Sequence, residues 1–214
     1  MEFLLIGIRN KPDIQGLIIE ENEYKAAAFR DDLLLILTNP IISLPNVLKE
    51  LNLYGLCSNY KINMDKSEAL PIIMPSPLLA NLQDSFKFKW QDTAITYLGI
   101  QITPDPKQLF GKNYPPLLTE VKSLLTSWAM KRITWTGKIN TITMSILPKL
   151  FSTLPIPISK SYFKEVNSAL DLYIWNKGRN RINRETLYRP KLRGGLGMPD
   201  LETYYQSSIL AKIL

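Results

Sequence analysis

Phe29-Arg30-Asp31-Asp32 sets two carboxylates side by side between Tyr24 to Phe29 and the apolar run Leu33-Leu34-Leu35-Ile36-Leu37. Both arms have strand length, so the sequence predicts a hairpin with acids at its apex. Adjacent carboxylates repel one another unless water or a cation neutralises them. Held on divalent ions, such a pair supports two-metal chemistry, in which a 3′-hydroxyl is activated and a leaving pyrophosphate stabilised. The plainer reading is an exposed turn whose acids keep the tip soluble.

The rest of the composition narrows the chemistry. The chain has 214 residues and no histidine, which removes Ser-His and Cys-His catalysis, histidine bases and histidine metal ligands together. The single cysteine, Cys57, leaves no internal disulfide and no zinc site built from several thiolates. Metal chemistry here falls to carboxylates, which favour Mg²⁺ or Mn²⁺. The apolar run Phe3-Leu4-Leu5-Ile6 is far shorter than the ~20 residues of a membrane span and lacks the basic flank of a signal peptide. The expectation is an intracellular protein, nuclear or cytoplasmic, not secreted and with no membrane partner. A start inside a core helix would account for that run.

Charge divides the chain. Residues 1–104 hold 9 Lys/Arg and 12 Asp/Glu, a net of −3, whereas residues 105–214 hold 17 and 7, a net of +10. A basic half of this kind meets a polyanion or is a solvated surface, and charge alone does not choose. Its densest stretch, 177–193, carries Lys177, Arg179, Arg181, Arg184, Arg189, Lys191 and Arg193 against one acid. Lys131 and Arg132, close to Trp135, combine cations with an aromatic surface. Trp128 and Trp175 read as core anchors.

The elements that position these groups change character near residue 104, where we place a domain boundary. Before it, Gly16 to Ile19 and the two arms named above are expected strands. A helix over Ser43 to Tyr54 presents Leu44, Val47, Leu48 and Leu51 on one face, with Pro45 in its first turn and Gly55 after its end. Phe86 to Trp90 alternates, and a turn at Gln91-Asp92-Thr93 would pair it with Ile95 to Ile102. After the boundary the apolar period is helical. Leu117, Leu118, Val121, Leu124, Leu125 and Trp128 form one stripe; Ile139, Ile142, Ile146 and Leu147 form another. A third runs through Tyr162, Phe163, Val166, Leu170, Tyr173 and Ile174. Residues 177–193 are read as a basic loop, and Gly194-Gly195-Leu196-Gly197 as a tight turn before a last helix capped by Asp200.

Taken in order, a set of short motifs resembles LINE-type (non-LTR) retrotransposon reverse transcriptase. They are Ile8 to Gly16, Phe29 to Asp32, Gly55 with Tyr60-Lys61-Ile62-Asn63 and Lys66-Ser67, and Tyr97-Leu98-Gly99-Ile100. They continue with Trp135-Thr136-Gly137-Lys138-Ile139, Ile146-Leu147-Pro148-Lys149, Pro190-Lys191 and Gly194 to Leu201. The resemblance covers essentially the whole chain. It implies an α+β fold: a partial polymerase palm of β-hairpins and a packed helix over 1–104, then an all-helical basic thumb over 105–214. In that family Asp31 and Asp32 would be metal-binding catalytic carboxylates, and Lys66 would lie near the incoming nucleotide's phosphates. Tyr97, Leu98 and Gly99 would form the primer-grip hairpin. Implied partners are an RNA template and an RNA–DNA hybrid or DNA, with no small-molecule cofactor beyond nucleotide and Mg²⁺ or Mn²⁺.

Two departures shape what is expected. The family's upstream catalytic aspartate and its Gly-rich nucleotide-pocket turn have no counterpart before Phe29. The expectation is therefore weak metal binding and no polymerisation by the chain alone. Arg30 stands where the family carries a small residue, and it either neutralises Asp31 and Asp32 or obstructs the primer end. The functional reading is a fragment of an RNA-directed DNA polymerase. The alternatives are a non-enzymatic nucleic-acid-binding module and an unselected element remnant.

Overall fold

The structure is a computed structural model describing residues 1–151, 156–176 and 178–213, and it divides into two compact units, Met1–Pro104 and Asp105–Leu214. The division falls where the charge changes sign. The architecture is α+β, with the strands in the first unit.

The first unit opens on helix α1 (Glu2–Asn10), which buries Leu4, Leu5 and Ile8 and leaves Phe3 86% exposed. Strands β1 (Leu17–Ile19) and β2 (Asn22–Tyr24) form one antiparallel hairpin, and β3 (Ala26–Phe29) and β4 (Asp32–Leu35) the next. The arm expected from Tyr24 to Phe29 is thus split at Lys25: Tyr24 pairs backward with Leu17, while Ala26 pairs forward with Leu35. The split follows from Lys25 being drawn inward. Its ammonium donates to Arg9 O at 3.0 Å and Lys11 O at 2.8 Å, closing the end of α1. The leucine arm is half-buried rather than buried, because only Leu33, Leu35 and Leu37, at period two, face the core.

Helix α2 (Pro40–Ser58) buries Leu44, Val47 and Leu51, the last two against Leu4, Ile8 and Ile14. It is longer than expected at both ends, so Pro45 and Gly55 lie inside it rather than at its borders. Pro40 supplies the start. The end comes at Asn59, in the left-handed region at φ 57°, and the chain then folds back so closely that a Cβ on Gly55 would stand 2.6 Å from Tyr60 O. That contact, not a terminus, is why residue 55 is glycine.

The second expected hairpin does not form as read. A short β5 (Glu68–Ala69) precedes helix α3 (Ser76–Ser85) and β6 (Lys89–Trp90), and β6 pairs parallel with β5. Residues 95–102 instead fold on themselves as β7 (Ile95–Tyr97) and β8 (Ile100–Ile102). Leu98 and Gly99, at φ 50° and 78°, are the two positive-φ positions of a tight hairpin turn, and this local geometry outcompetes the looser turn at Gln91-Asp92-Thr93.

The second unit is helical. Helix α4 (Leu109–Ala129) buries Tyr114, Leu118, Val121 and Leu125 along one stripe. Helix α5 (Trp135–Thr141) is capped by the Thr134 side chain, runs through a π-helical turn at Ile142–Ile146, and continues as α6 (Leu147–Phe151). Helix α7 (Lys160–Ile174), capped by Ser159, carries the third stripe, and all six of its expected residues are buried. The basic stretch is not a plain loop: it contains α8 (Arg184–Tyr188), capped by Asn183, and a 3-10 turn at Lys191–Arg193. Leu196 and Met198 then return along α8 through hydrogen bonds to Thr186 O and Leu187 O, and Asp200 precedes α9 (Leu201–Ile213). One apolar core joins α4, α5, α7 and α9, with Trp175 buried in it and Trp128 packed against it. Each such side chain contributes about 1.5–3 kcal/mol of burial. No helix among the described residues is long and apolar enough to cross a membrane.

Candidate functional site

The acidic tip is a two-residue turn, Arg30-Asp31, closed by the pair Phe29↔Asp32. Both aspartates are exposed. Arg30 sits at φ 53°, the first loop position that both favoured hairpin turns require in the left-handed region. Its guanidinium lies 5.7 Å from the Phe29 ring centre and forms no ion pair with either aspartate. Neutralisation by direct contact, one of the two roles anticipated for Arg30, is therefore not what this geometry does.

A tyrosine from a distant segment closes on the tip, and a second responds to its charge. The Tyr60 hydroxyl donates to Asp31 O at 3.3 Å, and its ring lies 5.9 Å from Tyr54. Burial pushes the Tyr60 hydroxyl pKa up, and the negative charges of Asp31 and Asp32 push it the same way. Tyr97, at the end of β7, is raised by burial first and then by the charge of Asp32. Sequence reading placed Tyr60 and Tyr97 in motifs but not against the acids. Strand and helix periodicity carry no signal for contacts across so many residues.

Among the described residues, the other expected members make no hydrogen bond or ion pair to the tip. Lys66 ends the 3-10 turn Met64–Lys66, exposed, with its backbone N–H bonded to the Asn63 side chain. Leu98 is exposed and Gly99 forms the turn. Among the described residues no three carboxylates or thiols gather as a metal cage. Asp31 and Asp32 are two donors of a cage that needs more, so the side chains present do not fit a two-metal centre by themselves.

In the second unit the basic residues fall into two groups. Arg184 donates to Asp171 at 2.6 Å, which holds its guanidinium still more firmly protonated, and Arg189 pairs with Glu185 at 3.3 Å. These two cations are engaged within the fold. Lys131, Arg132, Arg179, Arg181 and Arg193 are exposed and make no ion pair among the described residues, and Lys191 reaches Asn140 at 3.4 Å. Lys177 lies outside the described residues.

A buried lysine escaped the sequence reading. Lys138 is 2% exposed; its ammonium donates to Tyr173 O at 2.7 Å and to the Asn176 side chain, and burial lowers its pKa. The signal was present: Lys138 lies one helical turn before Ile142 and two before Ile146, on the inward stripe. Beside it, the rings of Trp135 and Trp175 lie 6.2 Å apart. No protein-family model matches the chain.

Proposed function

We propose that the chain is part of a LINE-type RNA-directed DNA polymerase, with a partial palm over residues 1–104 and a helical nucleic-acid-binding thumb over 105–214. What supports the reading is that two separately resembling segments meet, with Tyr60 donating to the Asp31-Asp32 tip, and that the charge of Asp32 also acts on Tyr97 of the hairpin turning at Leu98-Gly99. The activity that follows for the chain by itself is binding, not synthesis. Two carboxylates hold Mg²⁺ or Mn²⁺ weakly, and no catalytic step is derived through them. The cations without ion pairs in the second unit suit phosphates, and the partner is an RNA–DNA hybrid or an RNA or DNA strand.

Salt dependence tests this reading. Affinity of the purified, monodisperse chain for an RNA–DNA hybrid should fall steeply with salt. The combined variant Arg179→Ala, Arg181→Ala, Arg193→Ala should flatten the log–log slope by roughly two to three units. An unchanged slope would return these residues to the status of a solvated surface. Primer extension by the chain alone is expected to be absent, and extension abolished by Asp31→Ala would reverse that expectation.

A further inference from the structure

We propose that Trp135 is a stacking platform for an unpaired base, and that Lys131, Arg132, Arg179 and Arg181 hold the flanking phosphates of a single strand. The inference rests on the nucleic-acid reading above and adds which form of nucleic acid this surface takes.

Trp135 differs in exposure from the tryptophan it packs against. Trp175 is 9% exposed, whereas Trp135 is 43% exposed although it leans on Trp175. One part of its indole is therefore supported by a fixed neighbour while the remainder faces water. An aromatic surface held in this way accepts any base, because every base offers a π-face.

The packing of the two indoles also joins two basic segments that are distant in sequence. Lys131 and Arg132 occupy the turn between α4 and α5, held by Lys131 N–H to Trp128 O at 3.0 Å. Arg179 and Arg181 leave the end of α7 just past Trp175, where Gly178 N–H bonds to Trp175 O at 2.9 Å. Four exposed cations, with no ion pair among the described residues, thus stand on the two segments that the paired indoles join, two on each.

Lys138 makes the junction rigid. From α5 it reaches Tyr173 O and the side chain of Asn176, a residue held at φ 52°, and so ties the end of α7 to the helix carrying Trp135. Its ammonium also lies 4.9 Å from the Tyr173 ring centre. Lys138 is a positioning residue here: it does not touch the nucleic acid.

A duplex has its bases stacked already, so a stacking platform discriminates in favour of a single strand, whereas the cations alone do not. The test measures the full chain and Trp135→Leu against a short unstructured oligothymidylate and against a duplex of equal length. Trp135→Leu should weaken single-strand binding by about tenfold or more with the salt slope unchanged, and duplex binding by less than about twofold. Trp135→Phe should keep most of the affinity. Saturating oligothymidylate should quench a fluorescence component that Trp135→Phe lacks. Equal losses on both ligands, or no loss and no quenching while the unaltered chain binds, would overturn the platform and leave the nucleic-acid reading standing. Failure of the unaltered chain to bind either ligand would overturn both.

Discussion

Among the described residues each unit buries one lysine at the end of a helix, and the two are satisfied in different ways. Lys25 closes α1 through Arg9 O and Lys11 O and also pairs with Glu23 at 3.1 Å. Lys138 closes α7 through Tyr173 O and the Asn176 amide, with neutral acceptors only. The surroundings explain the contrast. The first unit's main apolar cluster is five buried side chains, Leu4, Ile8, Ile14, Val47 and Leu51, with a half-exposed hairpin packed on it, and the Glu23 carboxylate is partly exposed. The second core is much larger, and a carboxylate inside it would carry its own desolvation cost. A shallow core tolerates an ion pair, whereas a deep one favours carbonyls that need no charge.

The sharpest way to break this comparison is to replace both lysines by methionine. Lys138→Met leaves Tyr173 O and Asn176 without a donor inside the larger core and should cost about 2–3 kcal/mol. Lys25→Met leaves groups that water can reach and should cost about 1–2 kcal/mol. Amide hydrogen exchange, read separately over α7 and α1, reports each effect, and a larger loss at α1 would reverse the ranking.

Alkali should act chiefly on the second unit. Burial raises the Tyr162 hydroxyl to about 12 and raises Tyr114 further, and the Tyr162 hydroxyl is committed to Tyr114 O at 3.1 Å. A raised folded pKa gives stability that is fully present below the unfolded value of about 10 and is lost as pH rises through the folded value. Between those limits Tyr162 alone should remove on the order of 2 kcal/mol. Three of the four tryptophans (Trp128, Trp135 and Trp175) lie in this unit, so their fluorescence follows its loss. Tyr162→Phe should blunt the pH dependence, and an unchanged curve would locate the titration elsewhere.

The smallest effect belongs to acid and the first unit. Glu23 is held below its ordinary pKa, first by Gly16 N–H at 2.7 Å and then by Lys25. A depressed folded pKa gives stability present above the unfolded value and lost as pH falls through the folded one. Exchange protection over β1 and β2 should therefore decline below about pH 4.5, and Glu23→Gln should remove that decline. Equal acid sensitivity in α5 and α7 would erase the contrast between the units.

Features that depend on near neighbours could be read from the residues alone. The three helical stripes, the acid-tipped hairpin, the Asp200 helix start and the sign change near residue 104 were all legible. Each is written in spacings of two to four residues or in local composition. Which segments meet was settled by packing over the whole chain. Lys89-Trp90 and Glu68-Ala69 pair across 21 positions, Tyr60 reaches Asp31 across 29, and Lys138 reaches Tyr173 across 35. Such contacts are chosen by competition among all surfaces of the chain for burial and for hydrogen-bond partners, and no local window contains the competitors. Lys25 and Lys138 show the consequence: residue type alone places a lysine in water, and it was the unsatisfied carbonyls at two helix ends that drew these two inside.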